Sequence, residues 1–205
     1  MRAHMIRTVI FDFGGVVADF DNSLFISRLS KKSPLSLEAI EREIYGKKLD
    51  VLFEKGLISS RAFYYEVKKR CYLKMDYESF KKAYINIFTP VNGMLSIIRS
   101  LKKKGYRVQL LSNTNYLHFY NVIRHYPAVK LMDAVSLSFR VGAMKPSRRI
   151  YMDAVKKAKC RVEECLYVDD IKSLVEAAEE IGMKGIVFKN PKRLKQGLKS
   201  FGIVV

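Results

Sequence analysis

The sequence is poor in cysteine and contains no long apolar segments. Its 205 residues include three cysteines, Cys71, Cys160 and Cys165, an odd number without the spacing of metal ligands. We therefore expect neither a disulfide framework nor a zinc site, and this composition fits the reducing cytoplasm. No apolar run is long enough to cross a bilayer, so we expect no membrane association.

A secretory signal peptide is also not expected. The first twenty residues, MRAHMIRTVIFDFGGVVADF, place basic residues before an apolar run, as such a peptide does. However, Asp12 and Asp19 interrupt the run, and no small-residue cleavage site follows. The stretch is predicted to be a buried strand that ends in a turn.

Acidic residues are outnumbered by basic ones. The chain has 38 Lys and Arg against 20 Asp and Glu, a formal net charge of +18. Such an excess attracts nucleic acid, anionic membranes or anionic metabolites and does not choose among them. Basic clusters such as LKKKG (101–105) fall where helices are expected to end, positions that favour cations. We interpret the excess as solvated surface, and specific nucleic-acid binding is not expected.

Five short apolar runs indicate buried strands, because each is rich in β-formers and ends near polar or small residues. They are RTVIFDF (7–13), YRVQLLSN (106–113), DAVSLS (133–138), ECLYVDD (164–170) and KGIVF (184–188). Helical patterns lie between them, at 94–101, 150–158 and 171–181. The alternation predicts an α/β fold, a Rossmann-like parallel sheet of about five strands sandwiched by helices.

Residues 20–90 break this alternation. SLEAIEREIY (36–45), SSRAFYYEVKKRCYLKM (59–75) and DYESFKKAYINIF (76–88) read as amphipathic helices with no strand between them. Their aromatic residues recur near helical spacing, so we assign them to a core of their own. The sequence predicts a small all-helical unit over 20–90, inserted after the first strand into a core made of 1–19 and 91–205.

Polar residues stand at the ends of the predicted strands, where open parallel sheets bind ligands. They are Asp12, Ser112, Asn113, Asp169 and Asp170, and Lys145 lies on the loop after VSLSFRVGAM. Carboxylate oxygens suit Mg²⁺, which neutralises phosphate oxygens, and a carboxylate at a strand tip can be a nucleophile that forms an aspartyl-phosphate. Lys145 would neutralise the charge there, while Ser112 and the amides of the FGG turn would donate hydrogen bonds to the phosphoryl group.

The chain resembles the haloacid dehalogenase (HAD) superfamily of hydrolases over nearly its whole length. FDFGGVVAD, LLSNTN, GAMKPSRRIY and LYVDD are similar to the four motifs of that superfamily, in order and at suitable spacing. The patterns FDxGxVxxD, LSNTNxLH and GxxKPxxxIY are most similar to its α-D-glucose-1-phosphate phosphatase-like group. The helical unit matches the superfamily's small cap, which closes over the active site and excludes water.

The resemblance implies a Mg²⁺-dependent phosphatase that hydrolyses a small anionic phosphorylated metabolite, with a sugar phosphate favoured, as a monomer or homodimer. By the same resemblance Asp12 is the nucleophile, and Ser112 and Lys145 hold the phosphoryl group. The implied Mg²⁺ ligands are Asp12, the Gly14 carbonyl, Asp169 and Asp170, and the implied substrate-binding residues are Gly14, Gly15, Asn113 and Asn115.

Two positions depart from the superfamily pattern. Most of its phosphatases have an aspartate two residues after the nucleophile, as general acid and then base, where this chain has Gly14. Without that acid the rate is expected to rise steeply with the acidity of the leaving group, and Asp19 is one candidate substitute. Ser173 and Leu174 stand where acidic or amide residues are usual after the fourth motif, which predicts weakened metal binding.

Two alternative functions stay open. A haloacid dehalogenase in the narrow sense also lacks the second aspartate and needs no metal, although the pair Asp169 and Asp170 argues against it. A weakly active or non-catalytic binding protein, with nucleic acid as a possible partner, is favoured by the charge of +18 and the altered fourth motif. Release of inorganic phosphate only with Mg²⁺ would select the phosphatase.

Overall fold

The computed structural model describes residues 5–205 as alternating strands and helices with a helical insert near the start. The first half contains β1 (Thr8–Phe11), β2 (Ala18–Phe20), α1 (Asn22–Ser30), α2 (Leu37–Glu41), α3 (Leu49–Glu54), α4 (Ser60–Arg70), α5 (Tyr77–Ile85), β3 (Phe88–Pro90) and α6 (Met94–Lys103). The second half contains β4 (Arg107–Ser112), α7 (Tyr116–Asn121), α8 (Pro127–Lys130), β5 (Ala134–Leu137), α9 (Ser138–Val141), α10 (Arg148–Ala158), β6 (Cys165–Asp169), α11 (Lys172–Glu179), β7 (Lys184–Val187) and α12 (Pro191–Ser200).

The main sheet has five parallel strands in the order β5-β4-β1-β6-β7. These strands fall on the five predicted apolar runs, so the parallel α/β sheet is confirmed. Central β1 pairs Phe11 with Leu110 of β4 and with Val168 of β6. Residues 1–4, which the sequence analysis includes in the signal-like stretch and the first core segment, lie outside the described residues.

Helices cover both faces of the sheet, because successive side chains of a strand point to opposite sides. In β1, Val9 and Phe11 join the apolar cluster that contains α6 and α12 residues, whereas Ile10 joins the cluster of α10 and α11. All three side chains are fully buried. A strand that is apolar on both faces can occur only inside such a sandwich, as the sequence run predicts.

The insert between β2 and β3 is helical and has its own apolar cluster, which includes Phe25, Phe63 and Phe80. Helices α2, α4 and α5 lie within the three predicted amphipathic segments, and a π-helical turn over Arg42–Gly46 extends α2. Each of the three begins at a capping side chain that accepts a backbone N–H bond three residues on, and these caps are Ser36, Ser59 and Asp76.

Three elements of the insert escape the sequence patterns: α1, α3 and the pairing of β2 with β3. Helix α3 is six residues long and follows Lys48, which is left-handed and gives no side-chain cap. Strands β2 and β3 have three residues each and pair antiparallel where the chain enters and leaves the insert. Elements as short as α3, β2 and β3 carry too few residues for periodicity to register. The division into 1–19 and 91–205 against 20–90 stays a prediction.

Candidate active site

Carboxylates from two neighbouring strands meet at the carboxyl edge of the sheet. Asp12 directly follows β1, and Asp169 ends β6, which is paired with β1 in parallel. The Asp12 N–H donates to the Val168 carbonyl at 2.9 Å and extends the ladder by one residue. The parallel register therefore brings the two side chains to one place, as the strand-end argument predicts.

The ammonium group of Lys145 joins these two carboxylates. Its Nζ lies 2.9 Å from Oδ2 of Asp12 and 2.7 Å from Oδ2 of Asp169, and the side chain is 1% exposed. Lys145 also donates to the Tyr167 hydroxyl at 3.0 Å, and that hydroxyl donates to the same Asp169 oxygen. A buried cation needs partners of this kind, since desolvation penalises an unpaired charge.

Burial disfavours the charged forms of Asp12 and Lys145, whereas the attraction between the two groups favours them. Desolvation raises the pKa of Asp12 to about 7, with Lys145 opposing the shift and Asp169 adding to it. Burial also disfavours the Lys145 ammonium, but Asp12 and Asp169 outweigh it and raise the pKa of Lys145 above its usual value. The Lys145 ammonium group thus stays charged beside the Asp12 carboxyl group, which is costly to ionise. A second cation would favour the ionised form of Asp12.

Asn113 sets the position of Lys145. Its Oδ1 accepts the Lys145 backbone N–H at 2.8 Å, and its Nδ2 donates to the Lys145 carbonyl at 3.2 Å. Both bonds link the end of β4 to the loop between α9 and α10. Ser112 is buried beside it, and its hydroxyl donates to the Asn113 carbonyl at 3.3 Å. The Asn113 side chain thus holds the loop that delivers the lysine.

The paired glycines after Asp12 form a tight turn against Asp170. Gly15 has a φ of +72°, and a Cβ placed there would lie 2.4 Å from Oδ2 of Asp170. Only glycine combines that conformation with so close a neighbour. The Phe13 N–H, at the start of the turn, donates to Oδ1 of Asp12 at 2.7 Å. The turn therefore orients the Asp12 carboxylate and leaves room for the Asp170 carboxylate beside it.

Asn115 and His118 connect the core to the insert. Asn115 is fully buried and caps α7, with its Oδ1 accepting the His118 N–H at 3.1 Å and its Nδ2 donating to the Tyr84 hydroxyl at 2.9 Å. The His118 ring stacks on Tyr84 at 4.2 Å. Burial lowers the pKa of His118 to about 4, with the Tyr84 carbonyl opposing the shift, so the ring is neutral near pH 7. The contacts of Asn115 are with protein groups, and its contact with substrate stays a prediction.

Within residues 5–205, one group of acidic side chains has the spacing of a metal site. Ligand oxygens of Asp12, Asp169 and Asp170 all lie within 4.8 Å of one another. Asp169 is already held by Lys145, by Tyr167 and by the Ile171 N–H at 2.9 Å, while Asp170 is exposed. A donor set made only of carboxylate oxygens, with one side open, fits a hard divalent cation.

A small cavity of about 140 Å³ opens where the insert meets this edge of the sheet. The core contributes Gly14, Ser112 and Asn113, and the insert contributes a polar wall that the sequence analysis does not identify: Tyr45, Asp50, Glu54 and Tyr84. Asp50 and Glu54 lie on α3, whose brevity hides it from periodicity. The nearest sequence signal is the glycine of FEKG, which is typical of a helix end.

The two carboxyl groups of this wall are hard to ionise. Burial raises the pKa of Glu54 to about 7, Asp50 and Asp12 add to the shift, and Lys145 opposes it. Burial also raises the pKa of Asp50, and its buried Oδ1 has no hydrogen-bond partner among the described residues. The cavity thus has two acidic groups in its wall, and the charge of Lys145 acts on one of them, Glu54.

Comparison with known proteins agrees with the sequence motifs. The profile of the haloacid dehalogenase-like hydrolase family matches residues 9–188. D-ribitol-5-phosphate phosphatase of Bacteroides thetaiotaomicron is 26% identical over 201 residues, which span 95% of this chain and 97% of that protein.

Solved structures share the architecture. A HAD-like family hydrolase from Porphyromonas gingivalis superposes with a TM-score of 0.80 at 25% identity, over 96% of this chain and 97% of that one. A HAD family enzyme of Bacteroides thetaiotaomicron, in complex with magnesium and inorganic phosphate, gives 0.79 at 23% identity, over 90% and 95%. Among residues 5–205, no helix combines the length and apolar character that a membrane span needs.

Proposed function

The chain belongs to the haloacid dehalogenase-like hydrolase family, whose profile spans residues 9–188, and from this membership we propose that it is a Mg²⁺-dependent phosphatase. Its substrate is a small phosphorylated metabolite, a sugar or sugar-alcohol phosphate. The sequence-based resemblance to this family and the predicted hydrolase class are confirmed. The finer grouping with glucose-1-phosphate phosphatases stays a prediction.

One observation carries the proposal: Lys145 lies between Asp12 and Asp169 at the end of the sheet, beside an open carboxylate, Asp170. A site that held only structural ion pairs would have no reason to place a third carboxylate beside them. This excess of negative charge is what a divalent cation would balance. The same arrangement argues against halide release, because that reaction gains nothing from acidic metal ligands.

In the proposed reaction Asp12 attacks the phosphorus atom and forms an aspartyl-phosphate, which water then hydrolyses. Lys145 and the Ser112 hydroxyl hold the phosphoryl oxygens, and Asn113 keeps Lys145 in place through its two backbone bonds. The amide groups of the FGG turn donate to the oxygen that gains charge.

The carboxylates of Asp12 and Asp170 and the Gly14 carbonyl would hold Mg²⁺. When bound, the ion neutralises charge on the phosphoryl group and on the nucleophile. The Asp169 side chain is fully buried, whereas that of Asp12 is partly accessible, so we assign Asp169 to positioning Lys145 and to the surroundings of the ion.

The cavity supports a small polyhydroxylated substrate. Its volume of about 140 Å³ admits a few heavy atoms beyond the phosphoryl group. Tyr45, Asp50 and Tyr84 offer acceptors and hydroxyls to a sugar or polyol chain. The similarity to D-ribitol-5-phosphate phosphatase over nearly the full length of both chains supports the same substrate class.

A phosphate-release assay over a panel of sugar and polyol phosphates tests this function. We expect turnover with Mg²⁺ that is lost with EDTA, and loss of nearly all turnover in Asp12→Asn, which keeps the shape but lacks the nucleophile. A binding protein with no chemistry would release no phosphate from any member of the panel. An Asp12→Asn variant that kept more than a few per cent of the rate would remove Asp12 from the nucleophile's role.

The remaining expectations from the sequence belong with this proposal. We propose that 20–90 acts as a cap that closes over a core of 1–19 and 91–205 and keeps water from the site. A cytoplasmic location, a monomeric or homodimeric state, and the absence of a specific nucleic-acid partner stay predictions.

A further inference from the structure

The position that carries the general acid in most related phosphatases is Gly14 in this chain, and the structure leaves little room for an acid there. A Cβ built on Gly14 would lie 2.9 Å from the Phe20 ring. The sequence-based substitute, Asp19, lies exposed on β2, paired with Thr89 of β3. Among the described residues, the carboxyl groups that line the cavity belong to Asp50 and Glu54.

Helix α3 is held against the core at the turn that follows Glu54. Gly56 has a φ of +68°, and a Cβ there would lie 2.3 Å from the carbonyl oxygen of Phe139 in α9. The Leu57 N–H bonds to the Leu52 carbonyl at 2.9 Å and the Gly56 N–H bonds to the Phe53 carbonyl at 3.0 Å, which closes the helix. Backbone against backbone is a close and rigid contact, so the position of Glu54 over the cavity is defined.

The other side of α3 faces the loop that carries Lys145. Val51 and Lys55 line a surface pocket together with residues 142–147 of that loop. Helix α3 is therefore packed between the lysine loop on one side and the cavity on the other. Glu54, on the cavity side, shares the cavity with Gly14, Ser112 and Asn113 of the core.

The pKa values of Glu54 and Asp50 are shifted by different neighbours. Lys145 and Asp12 both act on the pKa of the Glu54 carboxyl group, whereas burial raises the pKa of Asp50 and backbone hydrogen bonds of its own helix turn oppose that rise. Glu54 is therefore the carboxyl group on which the charges of Asp12 and Lys145 act. Its pKa of about 7 keeps a useful fraction protonated at neutral pH, which is what a general acid needs.

We propose that Glu54, supplied by the insert, is the catalytic general acid and base of this phosphatase, in place of the aspartate that Gly14 replaces. This assignment rests on the proposed function. It also replaces the expectation that the unmodified protein depends steeply on leaving-group acidity, because a proton donor is present.

The proton passes through two steps. In the first, a bond forms between an Asp12 oxygen and phosphorus, the bond from phosphorus to the ester oxygen breaks, and that oxygen takes the proton of Glu54. In the second, water attacks phosphorus, the bond to Asp12 breaks, and the Glu54 carboxylate takes a proton from the water. Glu54 is then ready for the next cycle.

Leaving groups of different acidity test the assignment. We would measure kcat/KM, which reports the first chemical step, with p-nitrophenyl phosphate and with ribitol 5-phosphate. Glu54→Gln should lower kcat/KM for the alkyl ester by about 10²–10⁴-fold, the usual contribution of a general acid, and leave the aryl ester within a few-fold. Aryl turnover by the variant also shows that it is folded.

The second step has its own readout. Without a base, Glu54→Gln should release a burst of about one p-nitrophenol per enzyme and then slow, as the aspartyl-phosphate accumulates. Glu54→Ala should behave in the same way, which makes the result independent of one substituent. The absence of a burst together with an equal loss on both esters would overturn the assignment.

Glu66→Gln is the matched control, because it removes a carboxyl group from the same insert at a half-exposed position that pairs with Arg70 at 3.1 Å and does not line the cavity. We expect the ratio of aryl to alkyl kcat/KM to stay within about threefold of the unmodified protein. A change in this ratio as large as that of Glu54→Gln would overturn the choice of Glu54. Wild-type protein inactive on both esters would overturn the proposed function itself, whereas active wild-type protein with parallel losses would overturn only Glu54.

Discussion

Gly14 and Gly15 are adjacent in the chain but lie against different neighbours. Gly15 needs its positive φ and gives the Asp170 carboxylate its place. Gly14 lies under the Phe20 ring, which occupies the side where an added side chain would go. An aspartate engineered at Gly14 would have to displace that ring, which is half-exposed and can swing away. Under the proposed assignment the acid function lies on Glu54, and the turn keeps the role of orienting Asp12.

Glu54 makes the stability of the fold depend on pH. Its pKa rises from 4.5 to about 7 on folding, mainly through burial. Between these values the folded state binds more protons than the unfolded state, so the free energy of unfolding falls as pH rises. Glu54→Gln removes this fall in the free energy of unfolding with rising pH. We therefore expect the melting temperature of the variant, relative to the wild type, to be higher at pH 8 than at pH 5, by about 2–4 °C for each kcal/mol.

Glu176→Gln provides the control for this measurement. Glu176 is an exposed residue of α11 that pairs with Lys172 at 3.2 Å, and its substitution changes the net charge by the same amount. The relative melting temperature of that variant should move little with pH. If both variants shifted alike, the effect would come from total charge and not from the buried position of Glu54.

At the scale of elements, α3 shows how a helix without sequence signals can hold a functional residue. Six residues make an isolated helix unstable in water, and the left-handed Lys48 before it supplies no cap. Its stability comes from the buried side chains of Leu49 and Phe53 and from the contact of Gly56 with Phe139. The placement of Glu54 is therefore a property of packing between the insert and the core.

Gly56→Ala should disturb that packing more than a positive φ alone explains. Left-handed backbone costs a residue with a Cβ about 1–2 kcal/mol, and at Gly56 the new Cβ would also meet the Phe139 carbonyl at 2.3 Å. We expect a larger loss of stability, seen by urea unfolding, and a fall in kcat/KM for alkyl esters as α3 moves outward.

Gly105→Ala separates the two costs. Gly105 has a φ of +81° and nothing within 4 Å of an added Cβ, so the substitution carries the conformational cost without a clash. Its loss of stability should stay near that cost, with kcat/KM unchanged. Equal losses at the two glycines would show that α3 is not held by the contact at Gly56.

At the scale of the whole molecule, the net charge of +18 is a surface property, while the buried Lys145 belongs to the site. We expect weak, sequence-indifferent binding to DNA or RNA at about 0.15 M salt, because the basic excess is spread along the chain and local clusters such as 101–105 are short. The affinity should fall steeply as salt rises, since counterion release drives such binding. Fluorescence anisotropy with a labelled duplex at several salt concentrations measures both. Sub-micromolar affinity at physiological salt would favour the binding-protein alternative.

The sequence by itself determined the sheet and its reactive edge. Residues apolar on both sides of a strand, such as Val9 and Ile10, can be buried only between two layers of helices, and polar residues at the ends of parallel strands must share one edge. Asp12 and Asp169 could therefore be assigned to that edge from the amino-acid pattern alone, because each stands at the end of a strand. Lys145 was expected at the same edge, and its place there depends on the bonds of Asn113 to its loop.

Only the tertiary structure decided what the insert contributes to the site. Glu54 is one of many acidic residues in the chain, and nothing in its local sequence shows that it is buried or what it faces. Its position depends on the contact of Gly56 with Phe139. These residues lie far apart in the sequence and meet only when the insert folds over the core. Its raised pKa depends on the same event, because burial and the charges of Asp12 and Lys145 act on it only there. Non-local packing of this kind leaves no hydrophobic periodicity, capping residue or motif in the sequence from which it could be predicted.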